Sequence, residues 1–443
     1  MSAVAEPLNV VMVALGTYGD VHPFVGLGQA MRRRGHRVRV IANPFFSSLI
    51  SQAGLQFTPV GSEEELRQTI SDANLWHARH GLKTALQTGT RHLLPVYQAI
   101  ADANEPGSTV VAYSSLAIGA RLAQERFGIP SVAVHLAPVL FRSLVRPPVM
   151  PGKPIPSWAP RLVWRCVYKL SGIRFAWTVG PALQAARAQA GLPPLDIRQW
   201  NFGSPDGQIA LFPAWFAQPQ PDWPRNLRLT GFPMFDERAI RPLDEELSAF
   251  LDAGEAPIAF TPGSGMWNGA AFFAEAVRLC LLAGRRGLLL SSHTDHIPRN
   301  LPPTVRHVHY APFSELLPRC AAVVHHGGIG TSAQAMAAGV PQLLTPFAHD
   351  QPDNAARLCA LGVARTIPAP RFRAERAIGL LTQLLESPQV AAACRTVAKR
   401  FPDANAMERT CAIIEEIGSR PSRQTASRPA NNSETSLSSA LAS

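Results

Sequence analysis

Residues 321–354 read AAVVHHGGIGTSAQAMAAGVPQLLTPFAHDQPDN, and they restrict the fold more than any other stretch of the chain. Residues 321–326 are a short apolar run ending in two histidines, the pattern of a buried strand. Gly327, Gly328 and Gly330 follow as a loop where backbone can approach a ligand, because no Cβ stands in the way. Residues 331–338 are mostly good helix formers, and Gly339 supplies the stop. Residues 341–347 make the next apolar strand, with the polar loop Ala348-His349-Asp350-Gln351 behind it. Strand, glycine loop and helix start together present free backbone N–H groups and a helix dipole to an anion.

The same alternation runs through the rest of the chain. Strands at 8–15, 37–42 and 56–60, separated by helices at 24–34 and 44–53, predict a parallel, doubly wound sheet. A strand at 109–114, a helix at 116–127 and a strand at 131–136 continue it. The ligand crevice of such a sheet lies at the carboxyl ends of its strands, where the loop 16–23 (GTYGDVHP) places Asp20. Residues 137–170 change texture, mixing prolines, Trp158, Trp164 and basic residues. They read as an irregular excursion packed on the sheet, or as a loop that shapes an apolar pocket or touches a membrane. Strands at 208–212 and 227–231 close the first half, and the charged, proline-containing stretch 233–246 reads as a hinge. A second alternation follows: strand 257–261, loop 262–265, helix 270–283, strands 287–292 and 305–310. Beyond about residue 420 the composition of Ser, Asn and Ala without periodicity predicts a disordered tail.

A chain of 443 residues is long enough for two domains. No run of about 18 apolar residues stands in it, so no transmembrane helix is expected. The start MSAVAEPLNVVMVALG lacks a basic leader and reads as a first strand, not a signal peptide. Six scattered cysteines without C-x-x-C spacing suggest reduced thiols and a cytoplasmic protein. The net charge of +11 suits an anionic membrane surface or an acidic substrate. Its basic residues are dispersed along the sequence and lack an aromatic-basic recognition motif, which argues against nucleic acid.

Neither a dinucleotide fingerprint nor a Walker loop fits the glycine loop. Its pattern H-x-G-G-x-G-T, from His325 to Thr331, is followed by P-x-x-x-D-Q, from Pro346 to Gln351. This signature resembles the donor site of the nucleotide-sugar glycosyltransferases of GT-B fold, the family of the plant and macrolide glucosyltransferases. The resemblance implies an α/β architecture of two doubly wound, Rossmann-like domains facing across a cleft. Residues 1–235 would bind the acceptor and 236–400 the nucleotide sugar. Residues 401–419 would form a helix crossing back to the first domain, with 420–443 as the tail.

Glycosyl transfer needs a base for the acceptor hydroxyl and a stabiliser for the diphosphate leaving group. The plant members carry G-H-x-x-P after the first strand, with histidine as base. Here the frame is Gly19-Asp20-Val21-His22-Pro23, which puts Asp20 in that place, as in the sterol and glycopeptide branches. His22 is the alternative or assisting group, and Asp20 also suits a helix cap. Leaving-group contacts fall to Ser264, Gly265, His325, Gly327, Gly328, Gly330 and Thr331, with His326 as a packing residue. By resemblance, Tyr310, Ala311, Pro312 and Phe313 line the base pocket, while Asp350 and Gln351 grip sugar hydroxyls. No D-x-D pair is in place, so a metal-independent reaction without a cofactor is expected.

Four stretches narrow the resemblance: 16–27 (GTYGDVHPFVGL), 211–224 (LFPAWFAQPQPDWP), 230–233 (TGFP) and 347–351 (FAHDQ). They resemble the rhamnosyltransferases of bacterial rhamnolipid synthesis. That implies transfer of L-rhamnose, with inversion, from dTDP-L-rhamnose to a 3-(3-hydroxyalkanoyloxy)alkanoic acid, giving a mono-rhamnolipid. The acceptor is an anionic hydroxy-fatty-acid lipid, so peripheral contact with the inner membrane or with the enzyme that makes the acceptor is expected. A UDP-sugar-dependent glucosyltransferase for a sterol, polyketide or other lipophilic aglycone is the alternative. UDP-N-acetylglucosamine 2-epimerases share the fold, but that reading leaves the G-D-x-x-P loop and the D-Q pair unexplained.

Overall fold

The computed structural model describes residues 6–421 apart from 153–154, 157, 198–202, 239–240, 264, 266–268 and 402–404. Ser264 and the expected tail from 422 onward lie outside the described residues.

Two parallel sheets carry the fold. The first holds β1 (Asn9–Val13), β2 (Arg37–Ala42), β3 (Gln56–Pro59), β4 (Thr109–Ser114), β5 (Ser131–His135), β6 (Gln208–Ala210) and β7 (Leu227–Leu229). Its order is β3-β2-β1-β4-β5-β6-β7. β1 is NVVMV and buried throughout, the continuous apolar run that a strand covered by helices on both faces requires. The second holds β8 (Ile258–Thr261), β9 (Gly287–Leu290), β10 (Val305–Val308), β11 (Ala322–His325), β12 (Gln342–Leu344) and β13 (Ala364–Thr366), in the order β10-β9-β8-β11-β12-β13. Strand order reverses beside β1 in the first sheet and beside β8 in the second. Crevices open at the carboxyl ends of strands at such switch points, and the loops after β1, β8 and β11 start there.

Several elements differ from the expectations. The first helix spans Tyr18–Arg33 and contains Pro23, whereas residues up to 23 read as loop because a residue before proline disfavours helix. Thr17 starts it with a capping box closed by Asp20. Helices Glu63–Ser71, Gly81–Arg91 and Leu93–Ala103 fill the gap between β3 and β4, where no element was expected. The excursion after β5 becomes, from Arg161, a helix of 29 residues reaching Gln189.

The halves share apolar contacts. From the run 211–224, Phe212, Phe216 and Trp223 are buried in one cluster with Phe232 and with Phe260 and Leu344 of the second sheet. Phe232 and Phe401 stack with centroids 6.0 Å apart and planes at 11°, where the backbone leaves the first half and where it returns. The returning helix Ala406–Gly418 inserts Cys411, Ile414 and Ile417 into the core of the first half beside Leu8 and Val110. Its Glu415 pairs with Arg34 at 2.6 Å and His36 at 2.8 Å.

Candidate active site

Asp20 stands in the first turn of the helix after β1, half-buried at the first switch point. Its Oδ2 accepts from the Thr17 N–H at 2.8 Å and the Thr17 hydroxyl at 3.2 Å. Both roles considered for Asp20 are thus geometrically available to one carboxylate: Oδ2 closes the cap, and Oδ1 is free of hydrogen bonds among the described residues. Burial raises its pKa, and the two Thr17 hydrogen bonds oppose that rise. A raised carboxylate is a stronger base. His22, two residues on, leaves a helix of 3.6 residues per turn on the other side. Its Nε2 lies 3.1 Å from the buried Glu237 carboxylate in the segment crossing between the halves. The structure therefore turns His22 to the crossing and not to Asp20.

The glycine loop after β11 departs from the expectation at its histidines. His325 was expected to meet phosphate, but its ring is fully buried under the loop. Nε2 contacts Gln342 Oε1 at 2.9 Å, and Nδ1 accepts from the Gly327 N–H at 3.2 Å. Burial lowers its pKa to about 4, so the ring is neutral and works as a strut of the loop. His326, expected to pack, is the half-exposed member and stacks on Phe347 at 6.2 Å. Burial of its polar atoms, then His325, lowers it to about 3. Gly327 has φ of +90°, a conformation open to glycine. A Cβ on Gly328 would lie 2.3 Å from His326 Nε2. Gly330 faces open space. The helix Ile329–Ala337 begins here with Gly328 as an N-cap that offers no side-chain cap. Its first N–H groups have no helical acceptor and stand as free donors at the mouth of the loop.

The Asp350-Gln351 pair divides. Gln351 is buried, and its Oε1 accepts from the N–H groups of Phe347 and Ala348 at 3.0 and 3.1 Å, so its carbonyl end holds the loop. Asp350 is half-buried and accepts from Asn354 Nδ2 at 2.7 Å, which also donates to Gly327 O at 3.0 Å. Burial raises the Asp350 carboxyl to about 6, and the charge of Asp20 across the cleft adds to the rise. Asp20 of the first half is thus near enough to Asp350 of the second for its charge to be felt there.

Tyr310 was expected at the base pocket, but its hydroxyl accepts from the Glu237 N–H at 3.2 Å and Arg241 lies over its ring at 5.4 Å. Ala311 and Pro312 are buried and Phe313 half-buried, Ala311 and Phe313 in the core behind β8 and β9.

The residues that close the cleft carry no signal in the sequence. Trp76, in the segment that joins two helices of the first half, lies 5.8 Å from both Phe347 and His349. Its indole donates to Ile70 O at 2.8 Å, which fixes the ring. A Cβ on Gly265 would stand 2.7 Å from Trp76 and 3.1 Å from Thr17, so Gly265 is where the two halves touch. His349 is the one non-glycine residue with positive φ among the described residues, at 55°. Such a backbone costs about 1 kcal/mol, and here it presents the ring to Trp76 across the cleft. Ser115 and His135 form a second unexpected group after β4 and β5: Oγ and Nδ1 are 2.9 Å apart, and His135 Nε2 reaches Gln208 at 3.2 Å.

Known proteins are similar to this chain in sequence and in fold. Residues 10–141 match the glycosyltransferase family 28 N-terminal domain, and residues 288–416 the erythromycin biosynthesis protein CIII-like C-terminal domain. The glycotransferase of kitacinnamycin superposes with a TM-score of 0.72 at 20% identity, covering 93% of this chain and 99% of that one. VinC in complex with dTDP gives 0.64 at 20% identity over 92% and 99%. The architecture is the GT-B fold. The O-mycaminosyltylonolide 6-deoxyallosyltransferase of Streptomyces fradiae is 30% identical over 425 residues, 92% of this chain and 97% of that enzyme. The protein belongs to this GT-B family of macrolide glycosyltransferases and is a nucleotide-sugar glycosyltransferase.

Proposed function

We propose that the protein is an inverting, metal-independent rhamnosyltransferase. It transfers L-rhamnose from dTDP-L-rhamnose to a 3-(3-hydroxyalkanoyloxy)alkanoic acid. The observation that carries the reaction type is the half-buried Asp20 at the carboxyl end of β1, its Oδ1 without a hydrogen bond among the described residues, together with the uncapped helix N-terminus after β11. In this reading Asp20 Oδ1 takes the proton of the acceptor hydroxyl, and the acceptor oxygen attacks the anomeric carbon. The bond from that carbon to the diphosphate breaks, with its electron pair leaving on the diphosphate. The N–H groups at Gly328–Thr331 and the Thr331 hydroxyl meet that charge. Asp350 accepts from the sugar hydroxyls, and Gln351 holds its loop. His325 supports the loop from below in place of the phosphate contact expected of it.

The rhamnosyl donor and lipid acceptor rest on the resemblance carried by stretches such as 16–27 and 347–351, and the dTDP complex of VinC supports a thymidine nucleotide. A second reading, a deoxysugar passed to a polyketide-like aglycone, is favoured by the full-length similarity to the Streptomyces fradiae enzyme. Thermal shift with dTDP, UDP, GDP and ADP tests the donor. A ligand at about 100 Kd adds roughly 2.7 kcal/mol. Incubation with dTDP-L-rhamnose and either a hydroxyacyl dimer or a macrolide aglycone then separates the readings. A rhamnosyl mass gain on the hydroxyacyl acid supports the first, and gain on the aglycone alone refutes it.

A further inference from the structure

The basic residues are spread along the sequence, but the acidic ones are missing from one long stretch of it. From Arg126 to Leu195 the sequence holds nine Lys and Arg residues and no Asp or Glu. The long helix Arg161–Gln189 lies within this region. Its second half packs through Val179, Leu183 and Ala186 on Leu86, Leu93 and Leu122. Before Val179 the helix buries Trp164 on one face and leaves another face uncovered. Leu162 is 69% exposed, Leu170 61% and Trp177 79%, and Trp158 just before the helix is 82% exposed. At 3.6 residues per turn, Leu162, Leu170 and Trp177 fall within an arc of about 80°. Arg165 and Lys169 border that arc on one side and Arg174 on the other. All three are exposed and form no salt bridge among the described residues.

We infer that this stripe docks the enzyme on an anionic membrane surface. Tryptophan and leucine on one line with cations along both edges is the composition of a helix that lies in the headgroup layer. No helix among the described residues is long and apolar enough to cross a bilayer, so the contact is peripheral. A second copy of the protein fits less well, because a twofold contact sets a patch against itself and would oppose the cations of one copy to those of the other. Anionic headgroups neutralise them. The position suits a lipid-facing enzyme. Upstream of the helix, the Val149 N–H donates to Asp353 Oδ1 at 2.9 Å, one turn from Asp350 and Gln351. The segment that leads into the helix thus reaches the second half close to the Asp350 loop. This surface is independent of which sugar or acceptor the cleft takes.

The test is co-sedimentation of the full chain with vesicles of phosphatidylcholine alone or mixed with phosphatidylglycerol, at low and high salt. Binding is expected on the mixed vesicles, at least tenfold above phosphatidylcholine alone, and lost at high salt. The variant R165Q/K169Q/R174Q should bind roughly 100-fold more weakly, since each cation near the surface contributes about a factor of five. Leu170→Ser/Trp177→Ser should also lose binding while keeping the parent melting temperature and dTDP affinity. Equal binding to both vesicle types, or variants that bind as the parent does, overturns the inference. So does a dimer in light scattering that Trp177→Glu dissociates in a protein that ignores vesicles. Failure of rhamnosyl transfer leaves the vesicle result unaffected.

Discussion

Replacing Asp20 by Asn separates the two functions that one carboxylate combines. The amide cannot accept the acceptor proton, but its oxygen can still take the Thr17 N–H that Asp20 Oδ2 holds at 2.8 Å. Loss of a positioned base costs roughly 10²–10⁴ in rate, or about 3–5.5 kcal/mol in the barrier. Complete loss of a helix cap costs about 1 kcal/mol. Here the cap survives, and the variant also removes a carboxylate whose charged form burial disfavours and whose charge opposes Asp350. Net stability should therefore change by less than about 1 kcal/mol. Single-turnover transfer, a thermal melt and dTDP titration read the three quantities separately. The rate should fall about 10²–10⁴-fold, with melt and nucleotide affinity near the parent. The parent rate should rise with pH through the raised Asp20 pKa, and the variant should lose that limb. A rate within about tenfold of the parent, with the acid limb kept, would refute the base assignment.

Other perturbations address the remaining parts of the cleft. Gly265→Ala puts a methyl group 2.7 Å from Trp76, which should part the halves and lower kcat/KM at least tenfold. Trp76→Ala added to it should restore part of the loss, and unaltered kinetics in the single variant would remove the contact from the mechanism. Asp350 has a pKa of about 6 when folded against an ordinary 3.8, so the folded protein holds a proton that the unfolded chain releases. Stability on that account falls as pH rises from about 4 to 6 and the penalty stays above it. Asp350→Asn should accordingly stabilise by on the order of 3 kcal/mol at most well above pH 6 and not below pH 4; equal destabilisation at both would contradict this. His325→Ala orphans Gln342 and the Gly327 N–H in a dry site and should cost about 3 kcal/mol or more, together with dTDP affinity. A parent-like melt would refute the strut role. Treatment with EDTA should leave transfer within about twofold if helix N–H groups alone meet the diphosphate charge. Inhibition reversed by Mg²⁺ would restore a metal to the reaction.

The strands were legible because a parallel strand covered on both faces is a continuous apolar run, and β1, β4, β8 and β11 are such runs. The glycine loop and the Asp350 loop were legible because each is local in sequence. What failed was non-local. Two adjacent histidines give no sign of which ring points inward, and β11 directs His325 below the loop and His326 beside the cleft. Trp76 and His349 are far apart in sequence and meet only when the halves close. The helix Glu63–Ser71 escaped because it buries no residue, so no apolar stripe marks it. The aromatic run 211–224 looked like a badge of substrate class, and much of it is packing between the halves.

The returning helix Ala406–Gly418 also sets the order in which the molecule can be completed during synthesis. Folding of multidomain chains ordinarily proceeds from the amino terminus as each domain leaves the ribosome. Here Cys411, Ile414 and Ile417 belong to the core that Leu8 and Val110 line. Until residue 418 has emerged, that core stays open along one side, with apolar surface exposed for as long as the second half takes to be made. A nascent polypeptide of this topology is a natural client for chaperones, and a nonsense change near its end would undo its beginning. The half that leaves the ribosome first is the last to be finished.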